Sequence, residues 1–90
     1  MTRRICIINP NTSESMTEDI RRSAESVKLP ETELTCINPP EGPETIETHL
    51  DEALSGIGVL KLIAVQRHAF DAFVIACGDD PGLAASRQIT

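Results

Sequence analysis

The sequence predicts an α/β fold: a three-stranded parallel sheet with strand order 2-1-3 and helices on both faces. Three short apolar runs have the length and composition of strands, two longer segments between them have helical periodicity, and a turn-rich polar loop follows each apolar run. Strands that alternate with helices form right-handed crossovers and therefore a parallel sheet. Ninety residues are enough for one small domain with one modest core.

The first predicted strand spans residues 4–8, and the first helix begins near Ser13. The start of this helix has two candidate signals. Ser15 and Glu18 have the spacing of a capping box, and Thr12 is an equally good cap. Four apolar residues recur at helical intervals and are expected to face the sheet; they are Met16, Ile20, Ala24 and Val27.

The second predicted strand spans residues 33–37 and is followed by a loop rich in proline and glycine at 38–43. The next helix is predicted over residues 44–67. Gly56 and Gly58 interrupt it, and they indicate either a bend or a close contact with a neighbouring element. The apolar stripe expected to face the sheet consists of Ile46, Leu50, Ala53, Leu54, Ile57, Leu60 and Ala64.

The third predicted strand, residues 72–76, is apolar without alternation, as in a parallel strand covered on both faces. Nothing in the sequence pairs with its outer edge, so we expect association there, such as a homo-oligomer. The polar loops at 9–12, 38–43 and 77–81 should meet at the carboxyl edge of the sheet. Open α/β sheets bind their ligands at that edge, so it is the predicted site.

Cys77 ends the third strand and therefore lies at the predicted site. Asp80 is a candidate N-cap and Pro81 suits the first turn of a helix over residues 82–90, whose positive end would favour a thiolate. Asp79 and Asp80 oppose this, because a nearby carboxylate disfavours a second negative charge. The alternative is that Cys77 packs as a small apolar residue, which is the usual role of a free cysteine.

Composition excludes several other functions. A net charge of −6 with only isolated pairs of basic residues argues against binding nucleic acid. The apolar run at residues 5–8 is too short for a signal peptide, and no stretch approaches a membrane span, so we expect a cytoplasmic protein without a membrane partner.

Three cysteines without paired spacing indicate neither a disulfide framework nor a metal site. Cys6 and Cys36 lie inside apolar runs and are predicted to be strand residues of the core. His49 and His68 are the other side chains that titrate near neutral pH. We interpret both as ordinary surface or helix-end residues.

Three motifs in order resemble the aspartate/glutamate/hydantoin racemase superfamily, most closely its hydantoin and allantoin racemase branch. They are INPNT at residues 8–12, NPPEGPETIE at 38–47 and IACGDDPGL at 75–83. The resemblance covers essentially the whole chain. It implies that residues 1–90 form a partial α/β domain, the amino-terminal part of a flavodoxin-like racemase lobe, with the second lobe absent from this sequence.

The resemblance implies a cofactor-independent racemase or epimerase that inverts a carbon next to a carbonyl group. Members of the family use two cysteines on opposite faces of a small-molecule substrate, here a hydantoin, allantoin or another amino-acid derivative. Cys77 matches the first cysteine. The other matching positions are Asn9 with its neighbours Asn11 and Thr12 as substrate contacts, and the N–H groups of Gly78 and Asp79 as binders of a carboxylate or enolate oxygen.

Two alternatives remain at this point. Residues 9–12 could form only a turn and a helix cap. The chain also departs from the family pattern in two respects. Cys6 and Cys36 cannot supply the family's second cysteine, and relatives often have a bulky residue where this chain has Gly78. The chain is therefore predicted to be either a racemase-like enzyme, with decarboxylases and isomerases as architectural relatives, or a non-catalytic module that binds small anions or self-associates.

Overall fold

The computed structural model describes residues 2–90, in which three strands alternate with three helices. Strand β1 pairs in parallel with both other strands, so the sheet order β2-β1-β3 confirms the predicted topology. No helix in this part of the chain is long and apolar enough to cross a membrane. The elements are β1 (Arg3–Ile8), α1 (Glu14–Glu25), β2 (Thr32–Ile37), α2 (His49–Gln66), β3 (Ala72–Ile75) and α3 (Leu83–Ser86).

The core lies between β1 and α2. Cys6 and Ile8 of β1 meet Val59 and Ile63 of α2, and all four side chains are buried. Removing an apolar side chain of this size from water contributes about 1.5–3 kcal/mol, so these contacts hold α2 on its face of the sheet. Partly buried residues surround this cluster: Ile37, Leu62, Phe70, Phe73, Ile75 and Ile89.

The opposite face of the sheet is only partly covered. Helix α1 packs against β2, where the Cys36 thiol donates a hydrogen bond to the carbonyl oxygen of Thr17 (3.4 Å). Strand β3 lies beyond this helix, and its Val74 side chain is 47% exposed. The prediction that this strand is covered on both faces is therefore wrong for residues 2–90, because α1 lies over β2 rather than over β3.

Helix α1 begins at neither of the predicted caps. Its N-cap is Ser13, whose hydroxyl oxygen accepts a hydrogen bond from the N–H of Met16 (3.3 Å). Ser13 precedes the helix in an extended conformation, as an N-cap should. This geometry shows that both predicted caps are wrong, the capping box of Ser15 and Glu18 and the cap at Thr12.

The inner face of α1 is also narrower than its periodicity suggested. Thr17 is its buried residue, and Ile20 and Ala24 are half-buried. Met16 is exposed at the start of the helix and does not face the sheet as predicted. Val27, beyond the end of the helix, borders an open groove with Ile7 and Val74 of the sheet but is 80% exposed, so it is not packed there. The helix ends at Glu25, before its apolar stripe is complete.

Helix α2 begins at His49, five residues later than predicted. Thr48 and Asp51 form a capping box, in which the Thr48 hydroxyl accepts from the Asp51 N–H and the Asp51 carboxylate accepts from the Thr48 N–H (both 3.1 Å). The N–H of Glu47 also bonds this carboxylate (3.0 Å) and is the main cause that lowers the pKa of Asp51. These bonds fix the helix start and leave residues 44–48 in a loop.

The predicted sheet-facing stripe of α2 is wrong for the large residues Leu50, Leu54 and Ile57, which are exposed. The side of α2 that faces the protein includes Ser55, Gly56, Val59 and Ile63 instead. The two glycines explain this orientation, because each makes a close contact rather than a bend. A Cβ at Gly56 would lie 3.2 Å from the N of Gly82, and one at Gly58 would lie 3.1 Å from Pro39 Cβ.

Helix α3 contains only four residues, Leu83–Ser86, instead of the predicted nine. Its N-cap is Gly82, with a φ of 78° and no side-chain cap, and not Asp80. Asp80 has a φ of 49° and belongs to the preceding turn. The left-handed backbone at Gly82 follows from its contact with α2, since a Cβ there would come within 2.9 Å of the Gly56 oxygen.

Candidate active site

The loops that follow the three strands meet at the carboxyl edge of the sheet, as predicted. The N–H of Asn9 bonds the carbonyl oxygen of Ile37 (2.9 Å), and the N–H of Ala76 bonds that of Ile8 (2.8 Å). These bonds continue the strand pairing to the ends of the strands. They leave a cleft of about 240 Å³ lined by Asn9, Pro10, Asn11, Met16, Thr45, Ile46, Ala76 and Cys77.

Asn9 is fixed by hydrogen bonds from its side-chain amide nitrogen. This Nδ2 lies within donating distance of Asn11 Oδ1 (2.8 Å), Thr17 Oγ1 (3.1 Å) and the Ser13 carbonyl oxygen (3.2 Å). The opposite amide orientation would place an oxygen against two other oxygens, so the surroundings determine it. The side chain is 1% exposed, and its Oδ1 accepts no hydrogen bond from residues 2–90.

Asn11 has a mainly structural role in this corner. Its Oδ1 accepts from the N–H of Ser13 (2.8 Å) as well as from Asn9, which closes a turn into α1. Its Nδ2 donates a weak bond to Met16 Sδ (3.4 Å). The oxygen of Asn11 is thus already used by the protein, although the residue lines the cleft.

Thr17 joins this corner to the second strand. Its hydroxyl accepts from Asn9 and donates to Asn38 Oδ1 (2.7 Å), on the residue that follows β2. Buried polar groups are stable when each has a partner, and this network provides partners for most of its members. The ends of β1 and β2 and the start of α1 are therefore held as one unit.

Cys77 lines the same cleft from the end of β3 and is half-buried. Its N–H bonds the Ile75 carbonyl oxygen (3.0 Å), and its own carbonyl oxygen accepts from the N–H of Asp80 (3.1 Å). No residue in 2–90 donates a hydrogen bond to its thiol or accepts one from it. The backbone turn alone therefore sets the position of this sulfur.

The expected helix dipole is not present behind Cys77. Helix α3 is a single turn that begins at Leu83, after the turn that contains Asp80 and Gly82. A macrodipole needs several aligned peptide units, so this turn gives little positive potential. The sequence-based reason for a thiolate at Cys77 is accordingly weaker than predicted.

The remaining predicted site residues lie beside the cleft rather than in its lining. Gly78 and Asp79 are exposed, and their N–H groups have no hydrogen-bond acceptor among residues 2–90. The N–H of Thr12 bonds the carbonyl oxygen of Pro43 (3.1 Å), which ties the first loop to the second. The structure thus brings Asn9, Asn11 and Cys77 together and places the other three around them.

Sequence reasoning missed Met16, Thr45 and Ile46 as lining residues. The periodicity of the sequence places Met16 on the sheet-facing side of α1 and includes residues 44–48 in the second helix. The structure places Thr45 and Ile46 in the loop before α2, with the Thr45 hydroxyl 3.2 Å from a Glu47 carboxylate oxygen. The capping box of Thr48 and Asp51 is the sequence signal that could have shown that this segment precedes the helix.

The two other cysteines lie in strands, as predicted, and their environments keep them protonated. Burial raises the pKa of Cys6 from 9.0 to about 11, and the nearby Cys36 thiol adds to this shift. Burial also raises the pKa of Cys36, which partly faces α1. Desolvation disfavours a thiolate at both positions.

A parallel α/β sheet with asparagine and cysteine at its carboxyl edge defines a class of small-molecule-binding proteins. Within that class, the model of the Asp/Glu/hydantoin racemase family matches residues 5–90, and the chain belongs to this family. This finding confirms the resemblance that the three motifs indicated.

Individual relatives agree with the family. The chain is 43% identical over 88 residues to a hydantoin racemase of Pseudomonas sp. (strain NS671), with 97% of this chain covered. It is 40% identical over 89 residues to a hydantoin racemase of Paenarthrobacter aurescens. The solved structure of an allantoin racemase from Klebsiella pneumoniae superimposes with a TM-score of 0.93 at 46% identity over 97% of this chain.

The chain spans just over a third of the length of these relatives: 35% and 38% of the two hydantoin racemases and 36% of the allantoin racemase. Similarity over this length shows the family and the fold of residues 2–90. What the complete relatives do remains a statement about those proteins.

Proposed function

We propose that this chain carries one proton-transfer face of a cofactor-independent racemase that acts on hydantoins, allantoin or related amino-acid derivatives. The observation that supports it most is the shared cleft, which is lined both by Cys77 and by Asn9 and Asn11 at the end of β1. Membership of the racemase family and the names of the relatives indicate the substrate class.

The proposed reaction is removal of the proton at the carbon next to a carbonyl group. The Cys77 thiolate takes this proton, the C–H bonding pair moves into the carbonyl group, and an enolate and a neutral thiol result. If Cys77 returns a proton from its own face, the carbonyl group and the thiolate are restored and the configuration is retained. Inversion requires that an acid on the opposite face gives the proton, which leaves Cys77 as the neutral thiol and that acid as its conjugate base.

We assign Asn9 the role of orienting the substrate. Its Nδ2 is committed to the protein, while its Oδ1 has no donor among residues 2–90 and its side chain borders the cleft. An acceptor of this kind suits a ring or amide N–H, which hydantoins and allantoin both carry. The rigid network behind Asn9 would keep this acceptor in place at no further entropic cost.

We assign the N–H groups of Gly78 and Asp79 to the oxygen that becomes negative in the enolate. Neither group has an acceptor among residues 2–90, and both follow Cys77 directly. Donors aimed at developing charge stabilise the transition state more than the substrate. The exposure of this turn means that substrate, or further protein, would have to exclude water from it.

This chain offers no cysteine for the opposite face. Cys6 and Cys36 lie on strands, and burial holds both pKa values above their usual range. The chain alone should therefore exchange the substrate's α-proton with solvent through Cys77 without inverting the carbon. Inversion would require an acid from outside residues 1–90.

The test is α-carbon exchange in D₂O with an enantiopure 5-monosubstituted hydantoin or enantiopure allantoin and the 90-residue protein. Deuterium uptake, read by mass spectrometry or NMR, is expected for the unmodified chain and should be lost in Cys77→Ser. Chiral chromatography follows inversion in the same samples. The matched control is Cys36→Ser, which should retain exchange. Equal uptake in Cys77→Ser and in the unmodified chain would overturn the assignment.

A second candidate is binding without catalysis. It is supported by the one-turn length of α3, which begins only at Leu83 and does not place the dipole of a long helix behind the thiol. Alkylation by iodoacetamide at neutral pH separates the two candidates. Labelling of Cys77 well ahead of Cys6 and Cys36 supports a poised thiol, and equally slow labelling of all three supports binding alone.

The free edge of β3 keeps its predicted role as a surface for association. Within residues 2–90 this strand pairs only with β1, and Val74 beside the edge is half-exposed. An unpaired edge is a template for another strand, from a second copy or from a longer racemase chain. Self-association at this edge stays a prediction.

A further inference from the structure

Three residues that line the cleft have no role in the proposed proton transfer. Met16 comes from the start of α1, and Thr45 and Ile46 come from the loop before α2. Asn9 is assigned to a ring N–H of the substrate, and Cys77 is assigned to the hydrogen on the reacting carbon. The substituent on that carbon is therefore left to the three remaining residues.

Ile46 lies in a part of the loop that is anchored on both sides. Before it, the carbonyl oxygen of Pro43 accepts a hydrogen bond from the N–H of Thr12 (3.1 Å). After it, the N–H of Glu47 donates to the carboxylate of Asp51 (3.0 Å). The position of Ile46 in the cleft is thus set before a ligand binds, which lowers the entropic cost of binding.

Met16 and Ile46 offer apolar surface that a ligand could cover. Met16 is 46% exposed, and Ile46 is half-buried. The Met16 sulfur accepts the weak hydrogen bond from Nδ2 of Asn11, so this side chain is held beside the corner at the end of β1. Covering such surface with an apolar group is favourable, because both surfaces then leave water.

The charges around these residues are unfavourable for an anionic ligand. No lysine, arginine or histidine lines the cleft within residues 2–90. Glu44 and Glu47 flank Thr45 and Ile46 in the chain, and the Thr45 hydroxyl donates a hydrogen bond to a Glu47 carboxylate oxygen (3.2 Å). A carboxylate placed here would lose water, meet like charge and find no cation.

We propose that Met16 and Ile46 form a specificity site that selects substrates with a neutral, apolar substituent on the reacting carbon. This inference rests on the proposed function, because the roles of Asn9 and Cys77 place the substituent. A branched alkyl group would cover both side chains. The ureido group of allantoin would give up hydrogen bonds to water against the same surface. Alkyl-substituted hydantoins, ahead of allantoin, are therefore the substrates that this cleft fits.

The test is an NMR titration of the unmodified 90-residue protein with three ligands that share the hydantoin ring. They are 5-isobutylhydantoin, allantoin and hydantoin-5-acetate, whose substituents are apolar, polar and anionic. Because the ring is constant, differences in the dissociation constant report the substituent. The isobutyl compound should bind about tenfold more tightly than allantoin, and hydantoin-5-acetate should bind most weakly.

Ile46→Asn and Met16→Gln replace an apolar side chain by an amide of similar size, and glutamine keeps an acceptor for Asn11. Each should lower the ratio of the two affinities, isobutyl compound over allantoin, at least about threefold. Ile46→Val and Met16→Leu keep the apolar surface and should preserve the ratio. The matched control is Ile57→Asn, since Ile57 is 51% exposed on α2 and does not line the cleft. Far-UV circular dichroism checks that each variant is folded.

Equal affinities for the isobutyl compound and allantoin, a preference that survives both amide variants, or no binding of any ligand would overturn the inference. The titration needs no proton transfer, so its result is separate from that of the exchange experiment in D₂O. A binding preference without exchange would support the specificity site and contradict the role of Cys77. Exchange together with equal affinities would support Cys77 and overturn the specificity site.

Discussion

The two walls of the cleft, the β1–α1 corner and the β3–α3 turn, are held by different kinds of interaction. In the corner, the side chains of Asn9, Asn11 and Thr17 bond one another and Asn38. In the turn, Cys77 is held by backbone hydrogen bonds only, and its thiol has no partner among residues 2–90. The corner is thus held by hydrogen bonds between side chains, and the turn is held by hydrogen bonds of the backbone.

This difference suggests that the two walls have different roles in the proposed reaction. A group that orients a substrate gains from a fixed position, and the network keeps Asn9 in one amide orientation. A group that exchanges protons must change its charge during each turnover, and strong permanent partners would favour one state over the other. The absence of such partners at Cys77 suits a residue that acts in turn as base and as acid.

The largest expected effect tests the corner with two matched substitutions. Asn9→Asp replaces a donor by a carboxylate at a site that is 1% exposed and faces the oxygens of Asn11, Ser13 and Thr17. An unpaired buried charge of this kind should lower the free energy of unfolding by about 3–5 kcal/mol. Urea denaturation measures this change.

Asn11→Asp is the same chemical change two residues away and should be tolerated. The carboxylate keeps the acceptor used by the Ser13 N–H and by Asn9, and only the weak bond to Met16 is lost. A carboxylate just before α1 also meets the positive end of the helix. We expect a change within about 1 kcal/mol. Equal losses in the two variants would mean that the corner is not organised around the Asn9 amide.

The next effect tests the turn, which depends on the contact between Gly82 and Gly56. Gly82→Ala adds a Cβ to a backbone with a φ of 78°, at 2.9 Å from the Gly56 oxygen. Backbone strain and overlap together should cost about 2–4 kcal/mol. Because the same contact positions the turn, alkylation of Cys77 should also change in rate. Denaturation and mass spectrometry give the two readouts.

Gly78→Ala is the control within the same turn. A Cβ at Gly78 meets nothing within 4 Å, and its φ lies outside the left-handed range. Stability should change by less than about 0.5 kcal/mol. If Gly82→Ala proved equally mild, the backbone contact would not be what holds this wall of the cleft.

The sequence predicts the sheet better than the surroundings of the site, and the reason is physical. Apolar runs between turn signals locate the strands, and chain connectivity then fixes the order β2-β1-β3. The length of α3 and the orientation of α2 depend instead on the approach of Gly56 to Gly82, residues far apart in sequence. Local sequence patterns do not reveal a contact between residues that are so far apart in the chain.

The residues of the candidate site also differ in whether the sequence predicts them. Asn9, Asn11 and Cys77 could be named because each directly or closely follows a strand. Thr45 and Ile46 could not be named while residues 44–48 counted as helix. Their place in the cleft depends on where the capping box of Thr48 starts α2. The residues at strand ends are therefore predictable, and those contributed by the longest loop are not.

The last prediction concerns Cys6, which lies inside the core and away from the cleft. Burial raises the pKa of Cys6 from 9.0 to about 11. The unfolded chain therefore binds fewer protons than the folded chain between pH 9 and 11, and stability falls as pH rises through this window. Below pH 9 the contribution of the neutral thiol is fully present.

Cys6→Ala removes this titration, although it leaves a small cavity and lowers stability at neutral pH. The unfolding free energy of the variant, measured by urea denaturation at intervals from pH 8 to pH 11, should decline less steeply than that of the unmodified chain. Val59→Ala is the control, because it leaves a cavity in the same buried cluster without removing a titrating group, and its curve should run parallel to that of the unmodified chain. An equally steep decline in Cys6→Ala and in the unmodified chain would mean that Cys6 is not the thiol whose ionisation is coupled to folding.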